Sequence, residues 1–235
     1  MRLIKTHLSA KPRPWSHPLV SFILLCFLSL SLFCWIYPDQ MPLFTASRDE
    51  IFKQHQFWRL FTTIAVHGDL RHFLSNSLFF WIFGFLLHSY FDFLVFPVLS
   101  LVFGAVTNAL TLYYYPGPSI LIGASGVVYF MVGFWATAYF FIERKAHPLQ
   151  RIVAALGVTL VLFFPTSYEP ETSYLAHFIG FVLGTGVGTV YFFLNRSKIR
   201  KAEIWKVEEV LIQDENSQLS PHLDRLHDPV DDPSE

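Results

Sequence analysis

Hydrophobic residues fall into six long runs that are separated by more polar segments. The runs cover about residues 18–37, 72–91, 94–115, 121–142, 150–167 and 174–195. Each is close to the ~20 residues that an α-helix needs to cross a bilayer. The pattern therefore predicts an all-α, polytopic membrane protein, a bundle of six transmembrane helices that we number as spans one to six.

The segments that flank these runs divide the chain into three parts. Residues 1–17 are a basic leader, residues 18–195 form one membrane domain, and residues 196–235 are a tail. No small-residue cleavage site follows span one, so we expect it to be retained rather than removed as a signal peptide. In the tail, Lys198 to Ile212 predicts an amphipathic helix at the membrane interface, although a solvated helix fits equally well. The acidic segment after Gln213 predicts disorder.

Composition supports the membrane assignment, and charge gives its orientation. Hydrophobic residues make up 53% of the chain and charged residues only 15%, which is too apolar for a soluble domain of this size. Lysine and arginine concentrate in the leader, between spans four and five, and directly after span six. The positive-inside rule predicts that these segments and both termini are cytoplasmic, in a plasma or inner cell membrane.

Four polar residues are predicted to lie at one depth of the membrane. His72 and Asn76 open span two, Ser125 lies near the start of span four, and His177 lies near the start of span six. With both termini inside, these three spans all begin at the outer face. Polar residues inside a membrane are costly and often functional. For each residue alone, hydrogen bonding between helices explains the position at least as well, but the whole set favours a functional site.

Helical geometry indicates how these residues could meet. Asn76 follows His72 by one turn and shares its face, and Tyr129 lies one turn after Ser125. Small residues allow two helices to approach closely. Span six carries such residues four positions apart, and span four carries two more; they are Ala176, Gly180, Gly184 and Gly188, and Gly126 and Gly133. Close contact between these spans would bring Ser125 and His177 together.

The residue types suit acyl transfer. A serine hydroxyl becomes a nucleophile when a base removes its proton, and histidine can do so near neutral pH. The developing oxyanion needs donors, which His72, Asn76 and the Ser125 backbone N–H could supply. Gly123 and Gly126, on either side of Ser125, would let backbone and substrate come close. The predicted site opens to the outer face.

The motifs together resemble those of the rhomboid intramembrane serine proteases. The resemblance covers about residues 40–195 in the family's order, and it rests on Trp58-Arg59, His72-x-x-x-Asn76, Gly123-Ala124-Ser125-Gly126 and Ala176-His177-x-x-Gly180-x-x-x-Gly184. It implies that Ser125 is the nucleophile, that His177 is the general base without a third carboxylate, and that His72 and Asn76 help to form the oxyanion hole. It also implies that Tyr129 packs against the catalytic imidazole.

The same resemblance implies the substrates. Rhomboid proteases cut other membrane proteins in or beside a transmembrane helix, so the expected partners are such proteins and the lipid bilayer, with no nucleic acid and no cofactor. Two positions depart from the family pattern: Gln56 and His88 stand where many bacterial members carry an acid. We expect these departures to bear on stability and gating rather than on chemistry.

Other functions fit the sequence less well. A catalytically silent, client-binding rhomboid relative would normally lack Ser125 or His177. A small transporter or channel is disfavoured by the missing internal repeat and by the lack of charged residues at mid-membrane.

A zinc protease would need His-Glu-x-x-His on a helix, which is absent. An aspartyl protease would need two embedded aspartates, and only Asp92 lies near a helix. Zinc on His67, His72 and His177 is disfavoured by poor spacing, so no metal is predicted.

Overall fold

The computed structural model describes residues 2–115, 119–163 and 173–206, apart from the side chains of residues 158 and 160–163. The helices are α1 Ser16–Ile36, α2 Arg48–Phe52, α3 Arg59–Ala65, α4 Leu70–Phe91, α5 Ser100–Tyr114, α6 Ser125–Ile142, α7 Pro148–Phe163 and α8 Tyr174–Lys201. The strands are β1 Arg2–Lys5, β2 Ala46–Ser47, β3 Ile120–Leu121 and β4 Ile204–Lys206. A π-helical turn, Leu94–Leu99, leads into α5. The strands form two antiparallel pairs, β1 with β4 and β2 with β3.

The predicted all-α polytopic bundle is confirmed. Among the described residues, five helices are long and apolar enough to cross a membrane; they are Ser16–Ile36, Leu70–Phe91, Leu94–Tyr114, Ser125–Ile142 and Tyr174–Lys201. Predicted span five coincides with α7, a helix of 16 described residues. The last part of that span, residues 164–167, lies outside the described residues.

Helix α6 is the centre of the bundle. It packs against α4, α5, α7 and α8, and most of its side chains are buried. Its sequence is apolar on every side, as expected for a helix with neighbours all round. The outer helices instead carry exposed large apolar side chains, among them Phe22, Leu78, Phe178 and Leu194. Such exposure is stable where the surrounding solvent is lipid.

Contacts between the helices fix their relative directions. At one end of the bundle His72 of α4 lies against Gly123, just before α6, and at the other end the Phe91 ring of α4 lies 5.3 Å from that of Phe134. Helices α4 and α6 are therefore parallel. Helix α8 is parallel to them as well, because Gly180 faces Gly126 and Gly188 faces Phe134. We call the end where α6 begins the Ser125 end.

The fourth span begins later than the sequence predicts. The apolar run starts at residue 121, but the helix starts at Ser125 because Ile120 and Leu121 pair with Ser47 and Ala46 as strands β3 and β2. Gly123 follows with a φ of +101°, which is incompatible with a right-handed helix. The structure therefore corrects the boundary and makes Ser125 the first residue of α6.

The tail and the leader also differ from expectation. Helix α8 runs without a break to Lys201, and a strand rather than an amphipathic interfacial helix follows at Ile204–Lys206. Trp205 pairs with Leu3 of the leader. Isoleucine and tryptophan favour strands, and the leader supplies a partner strand that the local sequence does not reveal. Residues 207–212, the rest of the predicted helix, and the acidic segment beyond them lie outside the described residues.

Candidate active site

Helices α6 and α8 approach each other through glycines. A Cβ atom added to Gly180 would lie 2.5 Å from the carbonyl oxygen of Gly126, and one added to Gly188 would lie 3.0 Å from that of Phe134. Between them, a Cβ on Gly184 would overlap the carbonyl of Phe130. Each neighbour is backbone and cannot move aside without moving the helix. The glycine spacing in the sequence therefore corresponds to a backbone-to-backbone contact in the structure.

This contact sets the level of His177 on α8. His177 lies one turn before Gly180, and its ring stacks on that of Tyr129 with centroids 4.1 Å apart and an interplanar angle of 16°. Tyr129 in turn lies one turn after Ser125 on α6. Both Ser125 and His177 are half-buried. The structure thus places His177 against the first turns of α6, and Tyr129 provides the packing surface for its imidazole.

A tight turn leads into Ser125. The N–H of Gly123 donates to the carbonyl of Thr63 at 2.8 Å, and the Thr63 hydroxyl donates to the carbonyl of Leu121. Ala124 is the N-cap residue of α6, and it makes no side-chain cap. The first N–H groups of a helix lack partners within the helix and carry partial positive charge. Ser125 therefore lies where backbone donors are available to a ligand.

His72 lies against this turn. Its own N–H donates to the Asp69 carboxylate at 2.8 Å, which caps the start of α4. Its ring is so close to Gly123 that an added Cβ would lie 2.7 Å from its Cε1 and Nε2 atoms. Glycine is thus required at residue 123 both by the positive φ and by the imidazole. His72 and the turn before Ser125 form one packed unit.

Asn76 lies one turn further along α4 and is 8% exposed. Its Nδ2 donates to the carbonyl of His72 at 3.1 Å. A side-chain amide nitrogen carries two hydrogens, so the second hydrogen of the Asn76 amide can be donated to another acceptor. The structure brings His72 to the Ser125 turn and keeps Asn76 on the same helix face.

The sequence interpretation considered His67 only as a metal ligand. Its side chain is 1% exposed, and its Nε2 accepts a hydrogen bond from the Ala124 N–H at 3.3 Å. Burial, and then the neighbouring His72, lower the pKa of His67 to about 4. Within residues 2–115, 119–163 and 173–206, no three His, Cys, Asp or Glu side chains come together in a way that could hold a metal ion. The only sequence signal for His67 was a polar residue just before the cap of α4.

Trp58 and Arg59 lie in the segment between α1 and α4. Trp58 is exposed, whereas Arg59 is buried. The guanidinium donates to three oxygen atoms and lies 3.5 Å from the Glu50 carboxylate; the acceptors are the Pro42 carbonyl, the Thr45 carbonyl and the Gln56 side chain. Arg59 therefore holds this segment together, and the Glu50 carboxylate pairs with its charge.

The second departure, His88, lies at the end of α4 opposite to Ser125. Its Nδ1 is 2.9 Å from the Ser16 hydroxyl of α1, and Ser89 donates to the same hydroxyl. The three side chains are buried together. His88 is thus part of a polar contact between α1 and α4, away from the Ser125 turn.

The close α6–α8 contact, the glycine turn before Ser125 and the buried Arg59 all lie within one continuous part of the chain, residues 54–193. A family model of the rhomboid domain matches residues 54–193, more than half of the chain. The chain belongs to the rhomboid family. Rhomboids are multi-pass membrane proteins that act on other membrane proteins within the bilayer, and the family includes both intramembrane proteases and inactive members. No similar sequence was found among curated proteins.

Proposed function

We propose that this rhomboid is an intramembrane serine endopeptidase that cleaves transmembrane segments with a Ser125–His177 dyad. The observation that carries the proposal is the stacking of His177 on Tyr129, one turn from Ser125, in the glycine-lined contact of α6 and α8. Nucleophilic catalysis by serine needs a base beside the hydroxyl, and the stacked His177 imidazole is the base that this arrangement offers. The presence of both Ser125 and His177 favours the active class of the family over the silent one.

In the proposed reaction, His177 removes the proton of the Ser125 hydroxyl while Oγ attacks the scissile carbonyl carbon. The tetrahedral intermediate collapses, the peptide C–N bond breaks, and His177 gives its proton to the leaving amine. Water then attacks the acyl-enzyme with His177 again acting as base, which releases the new carboxyl terminus and restores Ser125. The stacked Tyr129 ring keeps the imidazole in one orientation through both steps.

Donors at the Ser125 end would stabilise the oxyanion. The Ser125 N–H lies at the start of α6, the second amide hydrogen of Asn76 is left over, and the His72 ring lies beside Gly123. Each lost donor of this kind typically costs 10²–10³ in kcat. We assign His72 and Asn76 to transition-state stabilisation, Gly123 to the turn before Ser125, and Gly126, Gly180 and Gly184 to the close contact of α6 and α8.

The substrates in this proposal are membrane proteins with a transmembrane helix. Basic residues in the leader, around Arg144 and after α8 all lie at the end of the bundle opposite to Ser125. By the positive-inside rule that end and both termini face the cytoplasm, and the active site opens to the outer face of a cell inner or plasma membrane.

A reconstituted cleavage assay tests the proposal. The wild-type protein is incorporated into liposomes with single-span reporter proteins whose juxtamembrane residues are varied, and the fragments are measured by mass spectrometry. We expect cuts in or beside the reporter helix, and none with Ser125→Ala or His177→Ala. Ser29→Ala, which removes an exposed serine that bonds only within α1, serves as the matched control. Binding of reporters without cleavage would instead support a catalytically silent, client-binding rhomboid.

A further inference from the structure

The Ala124 peptide is held from outside its own helix by one buried side chain. His67 lies between α3 and α4, and its Nε2 accepts from the Ala124 N–H at 3.3 Å. Ala124 immediately precedes Ser125. A movement of this peptide would move both the Ser125 backbone N–H and the origin of its side chain.

His67 is itself fixed from several directions. Its carbonyl accepts from the Trp35 indole at 2.8 Å, and its N–H donates to the Ser31 hydroxyl at 3.2 Å, so α1 holds its backbone. Its ring packs edge-on against the rings of His72 and Phe73, with centroids 5.1 and 5.3 Å away. A side chain whose backbone and ring are both fixed by neighbours can hold an adjacent turn in position.

We propose that His67 is a positioning residue, whose neutral imidazole accepts the Ala124 N–H and thereby fixes the turn that presents Ser125 to the substrate. The expected effect of His67 on turnover rests on the proposed protease function. Its effect on the position of the turn does not depend on that function.

The protonation state of His67 agrees with this role. An imidazole that accepts at Nε2 must be neutral and must carry its single proton on Nδ1. The titratable groups that act on it are His72, which lowers its pKa, and Asp69, which opposes that effect weakly; burial is the largest influence and also lowers the pKa. His67 therefore accepts from Ala124 throughout the neutral pH range.

Three variants separate positioning from general stability. His67→Leu keeps an apolar body of similar size and removes the acceptor. His67→Gln restores an acceptor oxygen. His88→Leu is the matched control, because His88 is another buried, hydrogen-bonded histidine but lies at the opposite end of α4.

Two measurements on the full-length protein in detergent or liposomes decide the matter. Deuterium exchange of peptides that cover residues 121–126 should accelerate in His67→Leu, return towards the wild-type rate in His67→Gln, and stay unchanged in His88→Leu. The kcat for a reporter substrate should fall about 10–100-fold in His67→Leu, as for a displaced catalytic group. Its KM should stay within about threefold of wild type, and His67→Gln should recover most of the loss.

The outcomes are distinct. Unchanged exchange at residues 121–126 in His67→Leu overturns the positioning role, whether or not the protein is a protease. Equal kcat values in His67→Leu and His88→Leu overturn its catalytic consequence. If wild-type protein cleaves nothing, the proposed function fails, and the exchange data still decide whether His67 positions the turn.

Discussion

The α6–α8 contact predicts a graded response to alanine along one helix. Gly180, Gly186 and Gly188 all lie on α8, but an added Cβ would meet different surroundings. It would meet nothing within 4 Å at Gly186, a carbonyl oxygen at 3.0 Å at Gly188, and the Gly126 carbonyl oxygen at 2.5 Å at Gly180. An ordinary van der Waals contact begins near 3.4 Å, so the alanine Cβ in Gly180→Ala would lie 3.4 − 2.5 = 0.9 Å too close to this oxygen.

Since both sides of the Gly180 contact are backbone, the helices must separate by up to about that distance. His177 lies one turn away and would move relative to Ser125. A displacement of about 1 Å can cost about 10²-fold in rate, and overpacking costs about 1–3 kcal/mol in stability. Alanine at Gly186 should instead gain up to about 1 kcal/mol, because alanine stabilises helices relative to glycine.

The assay is reporter cleavage in liposomes, together with the thermal unfolding midpoint in detergent. We expect the cleavage rate to be near that of wild type in Gly186→Ala, lower in Gly188→Ala and lowest in Gly180→Ala. Equal rates for Gly180→Ala and Gly186→Ala, with both proteins folded, would refute the view that this contact sets the Ser125–His177 geometry.

Three further changes should have separable effects. Asn76→Ala should lower turnover by about 10–10³-fold without shifting the unfolding midpoint; an unchanged rate would leave Asn76 with only its bond inside α4. Arg59→Lys should cost about 2–4 kcal/mol in stability, because lysine cannot reproduce the several hydrogen bonds of the guanidinium. The control Lys53→Gln, which breaks the exposed pair with Asp49, should cost less than about 1 kcal/mol. Equal unfolding midpoints for these two variants would argue against the role of Arg59. Burial lowers the pKa of His67 to about 4, so below pH 6.5 the unfolded chain binds a proton there that the folded chain does not bind. The unfolding free energy of wild type should therefore fall by about 3 kcal/mol between pH 6.5 and 4, relative to that of His67→Gln. Parallel pH profiles of the two unfolding free energies would contradict this.

The membrane architecture was largely predictable because bilayer thickness acts on local sequence. Apolar runs of about 20 residues located the helices, and the glycine spacing on α8 indicated a close helix contact. The expected stacking of Tyr129 on an imidazole followed from the family resemblance, and the structure shows it with His177.

The parts that sequence did not predict depend on contacts between distant segments. The start of α6 is set by strand pairing of residues 120–121 with residues 46–47 and by the Thr63 carbonyl. The strand at Ile204–Lys206 depends on the leader. The role of His67 depends on a backbone N–H 57 residues away in sequence. None of these partners leaves a periodic signal in its own segment.

Site mapping of a fluorophosphonate adduct tests the central claim most directly. The purified protein is treated with a fluorophosphonate probe, digested, and analysed by peptide mass spectrometry. We predict a single adduct on Ser125, which disappears in Ser125→Ala and is formed far more slowly in His177→Ala. Labelling that persists in Ser125→Ala would contradict the serine protease assignment, and labelling at the wild-type rate in His177→Ala would contradict the role of that base.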